Sequence, residues 1–205
     1  MSNSPRLETA IKEHLAPALR SDGFTETGRT FRRLIGDFIQ VVGIQGSRYG
    51  GQFAINLAIQ PLGVPDVLGR MPDVKKITDA QCEFRRRLAG AGTDQWWTYE
   101  STPESMANAV MDAATVYVSS GRPLLDRFAS PHSPLKQISA QVLASQPSIL
   151  EGFASTTART ALVLARMREA KSDGAAAIEF ARVGLASVGS AVGLQLELER
   201  ICSRA

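Results

Sequence analysis

RTFRRLIGDFIQVVGIQGSRYGGQFAINLAIQ, residues 29–60, is the stretch whose reading decides the fold. Phe53, Ile55, Leu57 and Ile59 alternate with Gln52, Ala54, Asn56, Ala58 and Gln60. That period of two describes a strand with one wholly apolar face. Upstream, residues 38–45 are nearly continuously apolar and rich in β-branched side chains, as in a central strand buried on both sides. Gly46, Gly50 and Gly51 supply the turn between these two strands, because glycine adopts positive φ at little steric cost. Gly36-Asp37 is read as a tight hairpin, and Gly28 as the start of the preceding strand. The stretch is therefore an antiparallel meander.

Working outward, residues 5–22 carry Leu7, Ile11, Leu15, Ala18 and Leu19 on one helical face, with Ser4-Pro5 as the start. Pro17 should kink or restart this helix, and Gly23 should end it with Phe24 folded back. Residues 61–78, with three prolines and two glycines, read as a long crossing loop. CEFRRRL (82–88) reads as a fourth strand with Cys82, Phe84, Arg86 and Leu88 in one phase. After a turn over 89–94, residues 95–100 supply its partner strand. A capping box of Ser101 and Glu104, with Pro103 in the first turn, starts a helix that runs to about 119. Beyond it the pattern is helical over 123–129, 133–145, 148–170 and 173–203, the last two forming an αα-hairpin.

Gly23-Phe24 after a first helix, Arg29-Thr30-Phe31-Arg32, IQVVGIQGSRYGGQFAINLAI and CEFRRRL followed by Trp96-Trp97 together resemble a bacterial family known as domain of unknown function 4304. The resemblance spans residues 7–128, and its distinctive part is Gln45-x-Ser47, Phe53 and Asn56. It implies no activity and transfers no functional residue. The fold expected is α+β: an antiparallel sheet of about five strands packed with two helices over 7–128, plus a helical extension over 129–205. That extension is either an appendage or part of one shared core.

Among its 205 residues, 44% are hydrophobic and 21% charged, the balance of a globular chain with a sizeable core. The net charge of +3 is spread over both halves, so charge alone does not call for nucleic acid. Cys82 and Cys202 show no pairing or metal spacing and read as reduced thiols. The opening MSNSPRLETA has no apolar core and no window reaches membrane-span length, so the expected location is cytoplasmic, without membrane association. GIQGSRYGG lacks the Gly-Lys-Ser/Thr ending and the following helix of a phosphate loop. His14 and His132 stand apart from any nucleophile elbow, and the two histidines and two distant cysteines do not form a metal set. No catalytic residue, metal or cofactor is expected.

The residues that stand out for binding are Gln45, Ser47, Arg48, Asn56, Arg86, Trp96 and Trp97. Gln45 and Asn56 place amides in otherwise apolar strands, where burial demands hydrogen-bond partners. Arg86 shares a phase with Phe84 and Leu88, so it must find a partner or open into a pocket. The expected function is non-enzymatic binding of another protein, as in immunity-type interaction domains. The alternative is nucleic acid or a nucleotide on a surface of arginines and tryptophans, with or without an enzymatic role. A basic cleft with both tryptophans exposed favours the alternative; a mixed-charge surface favours a protein.

Leu57→Asp tests the meander directly. It would place an unpaired carboxylate on the apolar face, and a fall in stability of several kcal/mol is expected in thermal melts. An unchanged melt would mean that the face is wrongly placed.

Overall fold

β1 (Thr25–Thr27), β2 (Thr30–Ile35), β3 (Phe38–Gly46) and β4 (Gln52–Pro61) follow one another as an antiparallel meander. The computed structural model that shows this describes residues 7–92, 94–153 and 155–204. The β3–β4 register runs from Phe38 opposite Pro61 to Gly46 opposite Phe53. Every residue of β3 from Phe38 to Ile44, and of β4 from Phe53 to Pro61, is buried, as the apolar run of β3 requires. β1 was not expected: Gly28 (φ 60°) lies in the turn between β1 and β2 rather than opening a strand. All three β1 residues are exposed, so no apolar pattern marks them as a strand.

β5 (Phe84–Arg87) and β6 (Trp97–Thr98) complete a six-stranded sheet. The expected pairing of these two segments with each other does not occur. Both line the same edge of β4, β5 against Asn56–Ile59 and β6 against Gln52–Phe53. The cause is aromatic packing: Trp97 stacks on Phe53, with ring centroids 5.6 Å apart. Cys82 also departs from the expected phase. It precedes β5 and packs with Ile39, Val41 and Ala58 on the face opposite Phe84.

α1 (Leu7–Ala10) widens into a π-turn at Ile11–Leu15 and resumes as α2 (Ala16–Ser21). The Ala16 amide reaches Ile11 O across that turn, so the helix changes pitch next to Pro17 instead of stopping. The expected Ser4-Pro5 start lies outside the described residues, as does Thr93 of the 89–94 turn. Gly23 (φ 85°) ends α2: its amide bonds Arg20 O and that of Phe24 bonds Leu19 O, and Phe24 is buried.

α3 (Pro103–Val116) starts where expected, but its cap is Thr102, which accepts from the Ser105 amide, not Ser101. A π-turn over Tyr117–Gly121 then carries the helix into α4 (Arg122–Ala129) without the expected break. Gly121 is needed for close approach, since a Cβ there would lie 3.1 Å from Leu88 Cδ1. α5 (Pro134–Gln137), α6 (Ala140–Ser145), a 3-10 turn (Pro147–Leu150), α7 (Thr157–Glu169), α8 (Gly174–Ser187) and α9 (Val192–Cys202) follow. The helix expected over 148–170 begins only at 157, because Glu151 (φ 49°) and Gly152 (φ 78°) both leave helical space. α7 and α8 form the expected αα-hairpin.

One face of the sheet, with Phe31, Phe38, Val42, Phe53, Leu57 and Phe84, joins a single hydrophobic cluster that continues through Leu15, Val110, Leu162 and Phe180 to Ile201. α7 is buried on almost every side and sits inside this cluster. The second face carries a smaller cluster of Ile39, Val41 and Ala58, covered by Val74, Ile77 and Cys82 from the crossing loop. Arg32 holds that loop down by donating to Ile77 O at 2.5 Å and Lys76 O at 3.3 Å. Glu83, fully buried, accepts from the Val67 amide at 3.1 Å and pairs with Arg159 of α7 at 2.8 Å.

A chain ending at Ser130 would expose the sheet-side partners of α7 and strand Glu83 without its guanidinium. Such a chain is expected to be molten or insoluble, with no cooperative unfolding transition. A cooperative melt would instead mark 129–205 as dispensable.

Candidate functional site

The crossing loop covers only the part of the second sheet face built on Ile39, Val41 and Ala58. The remaining part, around Gly43, Gln45 and Asn56, forms the floor of an open basin of about 710 Å³. Its walls come from Arg29 and Thr30, from Asp79 and Ala80 of the 3-10 turn Asp79–Gln81, from Arg85 and Arg87 of β5, and from Asp94. The alternation of β5 sends Arg85 and Arg87 to this face and Phe84 and Arg86 to the other.

A chain of polar contacts crosses the floor. Asn56 Nδ2 donates to Asp79 Oδ2 at 2.8 Å and to Gln45 Oε1 at 3.3 Å. The same Gln45 oxygen accepts from Arg87 Nη1 at 3.4 Å, and Arg87 Nε pairs with Asp94 Oδ1 at 3.1 Å. The Arg87 guanidinium also lies over the Trp96 ring, 4.8 Å from its centroid. Arg29 is paired with Glu8 at 2.7 Å. Arg85 is exposed and makes no hydrogen bond or ion pair among the described residues. Gly43 makes room for this arrangement, because a Cβ there would stand 2.3 Å from Asp79 Oδ1.

The sequence-predicted residues divide into three groups. Gln45, Asn56 and Trp96 belong to the basin or its rim. Ser47 and Arg48 lie in the β3–β4 turn, where Ser47 Oγ accepts from the Tyr49 amide at 3.2 Å. Arg48 packs over the exposed Tyr49 ring, 4.6 Å from the centroid. Trp97 and Arg86 are corrections. Trp97 is 4% exposed, stacks on Phe53 and donates to Asp112 Oδ2 at 2.7 Å, so it is a core residue with a satisfied indole. The Arg86 side chain leaves on the core face, where Nη1 donates to Glu151 O at 2.5 Å and Nε to Arg87 O at 3.3 Å. Its acceptors are backbone carbonyls.

Asp79 is not legible in the sequence as a site residue, and Arg85 stands out there only as one of the arginines of the fourth strand. Asp79 comes from a segment with no strand or helix period, and only the fold brings it over Gly43. Arg85 was legible as the outward phase of β5, but its lack of an acid partner was not. Close by, burial pushes the Cys82 thiol well above its ordinary range, and the neighbouring Asp79 and Glu83 charges add to this. Cys82 therefore stays a protonated, unreactive thiol. Among the described residues no group of three or more His, Cys, Asp or Glu side chains is arranged to hold a metal ion. No helix among them is long and apolar enough to cross a membrane.

A family model described as Domain of unknown function (DUF4304) matches residues 15–118. That span contains all the residues lining the basin. No curated protein and no solved structure matches the chain.

Arg86→Met separates a structural arginine from a ligand-binding one. It removes the donors to Glu151 O and Arg87 O, so a loss of about 1–2 kcal/mol is expected in denaturant unfolding. Stability held or raised would mean that Arg86 is not a structural donor.

Proposed function

The chain belongs to the DUF4304 family, and from the geometry of the basin we propose that it is a non-enzymatic module that binds another protein. The observation that carries the reading is the mixed character of the basin. Three arginine side chains, Arg29, Arg85 and Arg87, share its lining with Asp79 and Asp94, and of the arginines Arg29 and Arg87 are already held by acids. A nucleic-acid backbone, with a negative charge at every nucleotide, matches a lining interrupted by Asp79 and Asp94 poorly. The burial of Trp97 points the same way, because it leaves Trp96 as the single indole at the rim, and that ring is already covered by Arg87. The sequence-based criterion for a nucleic-acid surface, two exposed tryptophans over a basic cleft, is thus not met.

The rim also has the composition of a protein contact. Arg87 on Trp96 is a pair of the residue types enriched at interface centres, and the β3–β4 turn carries a second such pair, Arg48 on Tyr49. The arrangement is held from within: the Asp79–Asn56–Gln45–Arg87 contacts fix the floor before any partner arrives, which lowers the ordering cost of binding.

Capture from nuclease-treated lysate of the source cells, with tagged wild-type and Arg85→Glu chains in parallel, tests the reading. A protein retained in near-stoichiometric amount by the wild type and lost by Arg85→Glu is the expected result. Identical sets of retained proteins, or nucleic acid as the only Arg85-dependent species in untreated lysate, would overturn it.

A further inference from the structure

Arg85 sets the chemistry that the basin selects. It projects from β5 on the basin side and has no acceptor among the described residues, whereas its strand neighbours all have one. Arg86 is held by carbonyls, and Arg87 by Asp94 and Gln45. An exposed guanidinium without a partner costs little by itself in water. Asn56 on the floor is engaged by Asp79 and Gln45, so Arg85 is the charged donor of the lining left to take an incoming acceptor. Arg87 can join it, since its partner Asp94 is 59% exposed and free to yield to another carboxylate.

We propose that the basin docks an extended, acidic segment of a partner protein, with carboxylates at alternate residues seated on Arg85 and Arg87. This rests on the protein-binding reading above and adds the chemistry of the partner. Arg85 and Arg87 stand two residues apart on one strand, so their Cα atoms are separated by about 6.6–6.8 Å. An extended segment running beside them repeats its side chains at that same interval on one face. β5 is also the end of the main strand path, and among the described residues no further strand pairs with its outer edge. Carboxylate is favoured over phosphate because Asp79 and Asp94 remain in the lining. A dianion would meet both of them, whereas single negative charges spaced along a chain can each be matched to one guanidinium.

The test uses the full chain and a fluorescein-labelled peptide, Glu-Thr-Glu-Thr-Glu, titrated to millimolar protein in low salt and followed by anisotropy. Its counterpart, Gln-Thr-Gln-Thr-Gln, removes the charge and keeps the extended form. Saturable binding of the acidic peptide is expected, weakened at least tenfold by Arg85→Gln and by replacing Glu with Gln. A thermal melt of Arg85→Gln unchanged from wild type shows that the loss is not unfolding, as expected for a side chain with no structural partner. Equal binding of the two peptides, equal binding by Arg85→Gln, or Arg85-dependent binding of inorganic phosphate or a short oligonucleotide in preference to the acidic peptide would overturn the proposal. If the acidic peptide fails while lysate capture still depends on Arg85, the acidic-segment inference falls alone. If capture is also indifferent to Arg85, the protein-binding reading falls with it.

Discussion

Burial of β3 and β4 on both faces is the constraint from which the other features follow. A strand that is apolar on alternate and intervening positions cannot leave either side to water without exposing Ile39, Val41 and Ala58 or their opposite neighbours. One side is answered by helices. Much of the other is covered by the crossing loop, whose own backbone must find hydrogen bonds once it lies on an apolar surface. Buried side chains from the strands supply them: Arg32 to two carbonyls, Gln60 to Val64 O and the Glu83 amide, and Glu83 to the Val67 amide. The loop is thus a lid on half a sheet face. The basin is the half it does not reach.

The same economy ties the C-terminal helices to the sheet. Arg159 reaches buried Glu83, Arg166 donates to Asp66 O of the crossing loop and pairs with Glu197, and Arg168 donates to Lys136 O and Ile138 O. Three arginines of one helix therefore fasten it to the sheet edge, the loop and the α5–α6 connection. Arg166 and Arg168 are buried while Arg159 is partly exposed, and burial lowers the proton affinity of Arg168. Such contacts contribute less to net stability than to uniqueness, because each guanidinium is satisfied by acceptors in one arrangement of the helix. The apolar surface around them provides the driving force.

At the other end of the sheet, Gln40 shows how a polar residue can serve the core. It is fully buried within β3, accepts from Arg33 and donates to Leu125 O of α4 at 2.6 Å. Arg33 in turn reaches Asp22 O and Asp126. Asp22 accepts from Tyr117 and Arg122 at the π-turn, and there burial, then the Asp22 bond, hold the Tyr117 hydroxyl protonated. This network joins α2, the sheet and the α3–α4 bend with every member paired. In the basin Asn56, Gln45 and Arg87 are likewise paired, and Arg85 is not. That contrast within one sheet separates the basin from the structural polar packing at the other end.

Local periodicity determined the meander, the first helix with its Gly23 ending, the start of α3 and the α7–α8 hairpin, because strand and helix repeats are written over a few adjacent residues. It also marked Asn56 as an amide that burial forces to find partners, and Arg86 as a residue that could not stand alone in its phase; Gln45 lies exposed at the end of its strand. Short elements without a period escaped it: β1 is wholly exposed, and Glu151-Gly152 breaks a pattern that otherwise reads as helix. Only the tertiary structure decided which partners those residues found. Asn56 and Asp79 lie 23 residues apart, Arg86 and Glu151 lie 65 apart, and Glu83 and Arg159 lie 76 apart. Adjacent in sequence, Trp96 and Trp97 were indistinguishable until β6 paired with β4 and drove one ring onto Phe53 while leaving the other beneath Arg87. A long side chain chooses its acceptor by what the packed backbone brings within reach, and the chain's local pattern carries no record of that distance.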